Sequence, residues 1–357
     1  MATGWPMKTT YANGDVYSAS DVNDTNGTIN LLGSSVAYTA GKNRIINGDF
    51  GVWQRGTSIT TSNAAFIFTC DRFRVSTTNT LSNTGTVTRQ AFTPGAAPIS
   101  GYESSYFARL TMPASGTTSE WDFTQPIEDV RTFAGQTVTL SFWAKSSASA
   151  VVNLYLSQVF GGGGSSTVNT NFASIATLTS SWVRYTKTFT VPSISGKTIG
   201  TNNFLDINIY QTSPTASQTI DFWGWQLEQG STATAFQTAT GTIQGELAAC
   251  QRYYYQNATG IQDIMNGAAT SNVQGRYSFC FPTQMRIAPT SLVTQNLSNS
   301  LNRTGGVATG GTFSIGSATP LTLEILYVHG SAAWTAGDTL LLYGNNANSY
   351  YGWSAEL

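Results

Sequence analysis

The sequence predicts an all-β protein: an antiparallel β-sandwich of jelly-roll type, a smaller C-terminal β domain, and a short extended or helical N-terminal arm. Three observations predict it. Charged residues make up 10% of the 357-residue chain while hydrophobic residues make up 40%, so a core can be filled although the charged share falls far below the usual ~25%. Apolar and polar residues alternate with period two in run after run, with no intervening helical pattern of about 12 residues. Each run is bounded by Gly, Pro, Ser or Asn clusters, the punctuation of strands.

The arm comes first. "WPMKTTYANGDVYSASDVND" holds a Trp-Pro pair (Trp5, Pro6) and an Asn-Gly turn at Asn13-Gly14. Ser18 or Ser20 caps a short predicted helix running to about Asn30, with Asp21 and Asp24 near its positive end. The apolar residues of this stretch are too few to fold alone. Residues 1–40 are therefore expected to order against a partner or against copies of themselves, using Trp5, Pro6, Tyr11, Asp15, Val16, Asp21 and Val22.

From residue 41 to about 245 the sandwich is expected. "TVTLSFWAK" (137–145) sets Val138, Leu140, Phe142 and Ala144 against Thr137, Thr139, Ser141 and Trp143. "AVVNLYLSQV", "SWVRYTKTFTVP", "NNFLDINIYQT" and "QTIDFWGWQLEQG" continue the pattern. "TATGTIQGELAAC" (238–250) reads as a connector, with "GELAAC" as a helical turn. "AACQRYYYQNATG" (248–260) then poses a question, since a cysteine and three tyrosines stand together in a Ser/Thr/Gly-rich chain. We read it as the first strand of a second domain over 251–357, with Cys250, Arg252 and Tyr254 on one face. Its expected core is Phe279, Phe281, Leu321, Leu323, Ile325, Leu340 and Leu342.

Several function classes are disfavoured. A net charge of -1 provides no basic field for nucleic acid or an anionic membrane. No apolar run approaches the ~20 residues of a membrane helix, and residues 1–20 lack the pattern of a secretory leader. Cys70, Cys250 and Cys280 are odd in number and far apart, and read as reduced, buried thiols rather than disulfides or zinc ligands. His329 is the sole histidine, so neither a histidine-based metal cluster nor a Ser-His-Asp triad is expected. No cofactor is expected. Asn47, Asp49 and Asp221 carry oxygens of the type calcium uses, too few to assign a metal site.

Two constellations remain. "SEWDF" puts Glu120 and Asp122 on one strand face, ~6–7 Å apart at ~3.3 Å per residue, within the spacing of glycosidase carboxylates. A solvated strand face is the better reading of that pair and of the neighbouring Glu128 and Asp129. "FGGGGSS" (160–166) has no phosphate-loop lysine and reads as a flexible turn. Aromatic residues near polar ones suit sugar stacking. Tyr102, Tyr106, Trp121, Asp122 and Gln125 form one candidate glycan group, and Tyr350, Tyr351 and Trp353 a second. Trp143, Trp182, Trp223 and Trp225 fall inside regular strand patterns and are expected in the core.

As an ensemble these stretches resemble a family. "WPMKTTYANGDVYSASDVND" resembles the head segment of bacteriophage tail-fibre and other virion-fibre proteins. "NRIINGDFGVWQRGTS", "QPIEDVRTFAGQTVTLSFWAKSS", "SWVRYTKTFTVP" and "WGWQLEQGSTATAFQ" resemble their jelly-roll module, which is similar to β-sandwich carbohydrate-binding modules. The resemblance implies a non-enzymatic virion structural protein assembled in the host cytoplasm, trimeric with itself. Residues 1–40 would be held by another virion protein (tail, baseplate, portal or capsid), and distal β regions would adsorb to host-surface polysaccharide. A head fibre or capsid decoration without receptor binding is the alternative, and a glycan hydrolase a further one.

Overall fold

The computed structural model describes residues 41–61, 66–78, 85–100, 102–112, 120–212, 214, 217–258, 263–301, 307–308, 311–331 and 334–357. The attachment residues Trp5, Pro6, Tyr11, Asp15, Val16, Asp21 and Val22 lie outside the described residues.

The expected alternation builds strands whose two faces differ. Val138, Leu140, Phe142 and Ala144 are all fully buried on one side of their strand. The first group of strands is β1 (Ser58–Thr60), β2 (Ile67–Phe68), β3 (Arg74–Thr78), β4 (Thr86–Ala91), β5 (Tyr106–Met112) and β6 (Glu120–Glu128). It continues with β7 (Thr137–Ser146), β8 (Ala150–Val159), β9 (Val168–Leu178), β10 (Val183–Thr190), β11 (Phe204–Thr212) and β12 (Gln218–Gln229). Among the described residues they form two antiparallel sheets, ordered β1-β4-β5-β12-β7-β10 and β2-β3-β6-β11-β8-β9.

The sheets face each other across one apolar layer. Val75, Phe123, Leu154, Leu156, Ile207 and Ile209 from one meet Leu110, Leu140, Phe142, Phe222 and Leu227 from the other. An aromatic run threads it. Phe73 stacks on Phe123 at 5.1 Å and meets the Trp225 ring edge-on at 5.3 Å. Such a layer is the main source of stability in a sandwich, because apolar burial outweighs the modest net worth of each ladder hydrogen bond.

The expected core tryptophans divide. Trp225 joins the inter-sheet layer, whereas Trp143 and Trp223 are buried on the outer side of the same sheet with Phe107 and Phe236, and Trp182 packs there half-buried. Gly224 permits this parting: its φ of 67° suits glycine, and a Cβ there would meet the Trp143 ring at 2.7 Å.

A helix, α1 (Ile243–Gln251), follows the sandwich. Thr242 caps it, its hydroxyl accepting from the Gly245 N–H at 3.0 Å. Thr242→Ala should therefore cost about 1 kcal/mol, read as a lower urea midpoint at unchanged slope. Cys250 lies in this helix, which corrects the reading of residues 250–255 as a strand; the strand starts only at Tyr254.

The remaining strands are β13 (Tyr254–Ala258), β14 (Asp263–Ala269), β15 (Gln274–Cys280), β16 (Ser291–Gln295) and β17 (Leu297–Leu301). After them come β18 (Val307–Ala308), β19 (Thr312–Ala318), β20 (Thr322–Val328), β21 (Thr339–Gly344) and β22 (Tyr350–Ser354). They form sheets ordered β13-β22-β16 and β18-β17-β21-β14-β15-β20-β19 around a core that includes Tyr277, Ile325, Leu340, Leu342 and Trp353. Leu321, expected in this core, is 57% exposed because it sits in the turn between β19 and β20.

The triple tyrosine joins the two parts. Tyr255 stacks on Trp353 at 5.5 Å inside the C-terminal core. Tyr253 and Tyr254 face the sandwich, with the guanidinium of Arg72 lying 3.5 Å from the centre of one ring and that of Arg55 3.5 Å from the other. Both arginines pair with Glu356, which Arg55 reaches at 2.9 Å. Arg252 and the Tyr253 hydroxyl both donate to Glu128, at 2.9 and 2.7 Å.

The cysteine expectations hold in part. Cys70 and Cys250 are free and fully buried, and burial pushes both thiols far above the ordinary range. Cys280, expected to be buried, is exposed at the end of β15. The glycine-rich turn is held at Gly161 and Gly162 by a neighbouring segment of the chain. Gly162 exchanges backbone bonds with Thr201 at 2.9 and 3.0 Å, and a Cβ on Gly161 would lie 2.0 Å from the Thr201 carbonyl oxygen.

Candidate functional site

Strand parity creates the site. Along β6, Trp121, Phe123 and Ile127 enter the core, leaving Glu120, Asp122 and Thr124 on the opposite face. Along β11, Leu205, Ile207 and Ile209 enter the core, leaving Phe204, Asp206, Asn208 and Tyr210. In β8 the outward residues are Tyr155, Ser157 and Val159. With Phe66, Arg74 and residues of β9, including Asn169 and Asn171, all of these except Thr124 line a groove of about 680 Å³. That volume suits a small-molecule or oligosaccharide site.

The groove has an apolar and a polar character side by side. Tyr155 and Tyr210 are half-buried and meet nearly edge-to-face, 6.4 Å apart at 80°. Asn171 donates to the Tyr210 hydroxyl at 2.7 Å, fixing that ring's tip. Asn208 Nδ2 donates to Asp122 Oδ1 at 2.8 Å, two strands' outward residues thus joining on one floor. At the other end Arg74 donates to Asp206 at 2.7 Å and lies over Phe66, 4.3 Å from the ring centre. Thr124 also donates to Asp206. Burial, with the negative charges of Glu120 and Asp206, raises the Asp122 carboxyl to about 7, although the Asn208 hydrogen bond opposes this. Burial raises Glu120 as well.

Of the candidate glycan residues, Asp122 alone lines this groove. Trp121 is 1% exposed, its indole N–H donating to Gln211 at 2.9 Å, so no sugar can stack on it. Gln125 is buried and its amide both donates to and accepts from the backbone of Ile46 at 2.8 Å. Tyr351 and Trp353 are buried in the C-terminal core, which corrects the idea of an exposed aromatic tip; Tyr350 beside them is half-buried. Tyr102 and Tyr106 instead line a second cavity of about 500 Å³, with Asp49, Glu103 and Ile243. Tyr102 is half-engaged in packing there, edge-on to Trp223 at 5.6 Å, and Arg89 lies over the Tyr106 ring at 4.2 Å.

Of the residues considered for calcium, Asn47 and Asp221 are occupied elsewhere, and Asp49 lines the second cavity. The Asn47 amide donates to the carbonyls of Val52 and Asp71 at 2.9 and 3.0 Å, and Asp221 pairs with Arg109 and Lys145. Glu128 and Asp129 likewise have cationic partners, Arg252 and Arg131. His329 bonds its own turn, with Nδ1 2.8 Å from the Ser331 carbonyl.

Tyr155, Phe204, Asp206, Asn208 and Tyr210 were not singled out from the sequence. Their signal was present: in "NFLDINIYQT" a strictly apolar parity (Leu205, Ile207, Ile209) alternates with one mixing aromatic and amide or acidic residues.

Residues 77–202 match a carbohydrate binding domain family model. The matched stretch is what the chain shares with that family, and the outward residues of β6, β8 and β9 fall within it. No curated protein matches the chain. Among solved structures, a domain described as "CBM4 structure and function" is 20% identical over 52% of this chain and 98% of that one, at a TM-score of 0.30. The CBM22-2 xylan-binding domain from Paenibacillus barcinonensis Xyn10C is 18% identical over 48% of this chain and 99% of its own, at 0.29. The enzymatically active domain of bacteriophage CBA120 tailspike protein 4 is 17% identical over 53% of this chain, at 0.29, and the chain spans 22% of its length.

Proposed function

We propose that the chain binds glycan in the β3-β6-β11-β8-β9 groove, without catalysing a reaction, as the adsorption module of a phage virion fibre. The observation that carries the binding reading is the groove floor. Half-buried Tyr155 and Tyr210 offer ring surface for the C–H face of a sugar, and Asp122, Asn208 and Asn171 stand beside them to engage hydroxyls. The matched carbohydrate binding domain supports it.

The fibre setting rests on the resemblance of residues 1–40 and of the jelly-roll stretches to virion-fibre proteins. In this reading residues 1–40 engage another virion protein, residues 41–245 bind a host-surface polysaccharide, residues 251–357 are distal, and three copies assemble. Weak single-site affinity is then multiplied by effective concentration across the trimer. Native mass measurement should return three times the 38.1 kDa chain mass. A value of one chain at all concentrations would remove the trimer from the reading.

The test of binding is direct. Tyr155→Ala and Tyr210→Ala should each weaken glycan binding at least about fivefold, since an aromatic contact is worth roughly 1 kcal/mol. Both variants should keep wild-type circular dichroism, because neither ring is in the inter-sheet core. Unchanged affinity in both would remove the groove as the site.

One observation favours a hydrolase as the second reading. Glu120 and Asp122 share the groove, and a carboxyl raised to about 7 has the poise of a general acid. Reducing ends released from host polysaccharide, and lost in Asp122→Asn, would establish it.

A further inference from the structure

The groove is short of cations. Its ionisable lining comprises Arg74, Glu120, Asp122 and Asp206, one positive group against three acidic ones. Arg74 is already committed, paired with Asp206 at 2.7 Å and held between Phe66 and Phe204, 4.3 and 5.3 Å from their ring centres. Among the described residues no cation pairs with Glu120 or Asp122.

An acceptor beside the acidic pair is also left unpaired. Asn208 is 4% exposed and its Nδ2 is used on Asp122, while its Oδ1 has no hydrogen-bond partner. Buried polar atoms are nearly always partnered, so an orphan acceptor on a groove-lining residue calls for a donor from outside the chain. Carboxylate oxygens accept only, and an ammonium offers three donors together with the missing positive charge. A ligand carboxylate, sulfate or phosphate would add a like charge to a floor that already disfavours its own.

We propose that the groove selects glycans bearing free amino groups, such as a glucosamine oligosaccharide, and rejects uronate-bearing ones, with the ammonium seated between Glu120, Asp122 and Asn208 Oδ1. This rests on the glycan-binding reading and specifies its ligand. The half-buried tyrosines supply the ring contact common to all sugars, and the acceptor cluster supplies the discrimination. Asp122 titrates about neutrality, facing Glu120 on its own strand, Asp206 on β11 and Arg74 on β3. Affinity for the amino glycan therefore falls between pH 7 and 5 as Asp122 takes up its proton, even though the sugar amine, which titrates near neutrality, gains charge over the same interval.

The experiment is calorimetric titration of the full chain with four tetrasaccharides: glucosamine, its fully N-acetylated form, glucose and galacturonate. The expected result is at least about tenfold tighter binding of the glucosamine tetramer than of its N-acetylated form, the galacturonate tetramer weakest, and the preference lost in Glu120→Gln/Asp122→Asn. Equal or tighter binding of the N-acetylated, glucose or galacturonate tetramer overturns the selectivity while leaving glycan binding standing. A preference for glucosamine that survives in the double variant, or that is flat from pH 7 to 5, removes the acceptor cluster as its origin. Binding of none of the four overturns this proposal, and glycan binding as well if native host polysaccharide also fails.

Discussion

Arg72→Ala should destabilise the protein by roughly 3–5 kcal/mol, the cost of breaking a buried ion pair from one side. Arg72 is 1% exposed and has three engagements at once. It pairs with Glu356, donates to the Pro126 carbonyl at 2.5 Å, and lies 3.5 Å from the centre of the Tyr253 ring. The variant leaves Glu356 with Arg55 alone and deprives a buried carbonyl of its donor. Arg72→Lys should recover only part of the loss, since an ammonium cannot both fork across two acceptors and lie flat on a ring. Urea denaturation checks both variants. A loss below about 1 kcal/mol in Arg72→Ala would mean that the pairing is dispensable.

Asp122→Asn should act in the opposite direction and only at higher pH. The Asp122 carboxyl is raised from 3.8 to about 7 in the folded chain. Between those values the folded state keeps a proton that the unfolded state has released, so stability falls as pH rises. Above pH 7 the folded protein holds an unfavourable charge, and the penalty is complete. Each pH step of one across that interval costs about 1.4 kcal/mol. Asparagine removes the charge and keeps an oxygen for the Asn208 bond. The variant should match the parent near pH 4 and exceed it by about 2–4 kcal/mol at pH 8. Thermal melts at the two pH values check this, and an equal shift at both would sink it. A stabilising substitution that harms binding is the usual signature of a group retained for function.

The fold class was legible because alternation is a local property. The stretch 137–145 predicted one buried face, and Val138, Leu140, Phe142 and Ala144 are all buried. What alternation could not tell is how the other face is covered. Trp143 is buried there too, because residues around Phe236 fold over the outer side of the sheet. The site was less legible, since the groove is assembled from strands that are neighbours only in space. Tyr155 on β8 lies opposite Asn208 on β11, whose next outward residue, Tyr210, lies opposite Asp122 on β6. Trp121 misled for a related reason. It differs by one position from Asp122, and one position along a strand is the difference between core and groove. Cys250 misled because it both ends the expected helical turn "GELAAC" and opens the tyrosine run, and the helix, which reaches Gln251, claims it.

The pairing of Arg72 with Glu356 has a consequence for the order of events during synthesis. The partners are 284 residues apart, so at about 5–20 residues per second the ribosome delivers Glu356 tens of seconds after Arg72. The sandwich can close meanwhile, since its twelve strands end at Gln229. Until then Arg72 has the Pro126 carbonyl from the sandwich but neither Tyr253 nor Glu356. A nascent chain arrested before residue 253 should therefore expose this arginine to protease or chaperone, and release of the full chain should bury it. The same long-range clasp that steadies the molecule can form only after the sandwich strands have been made.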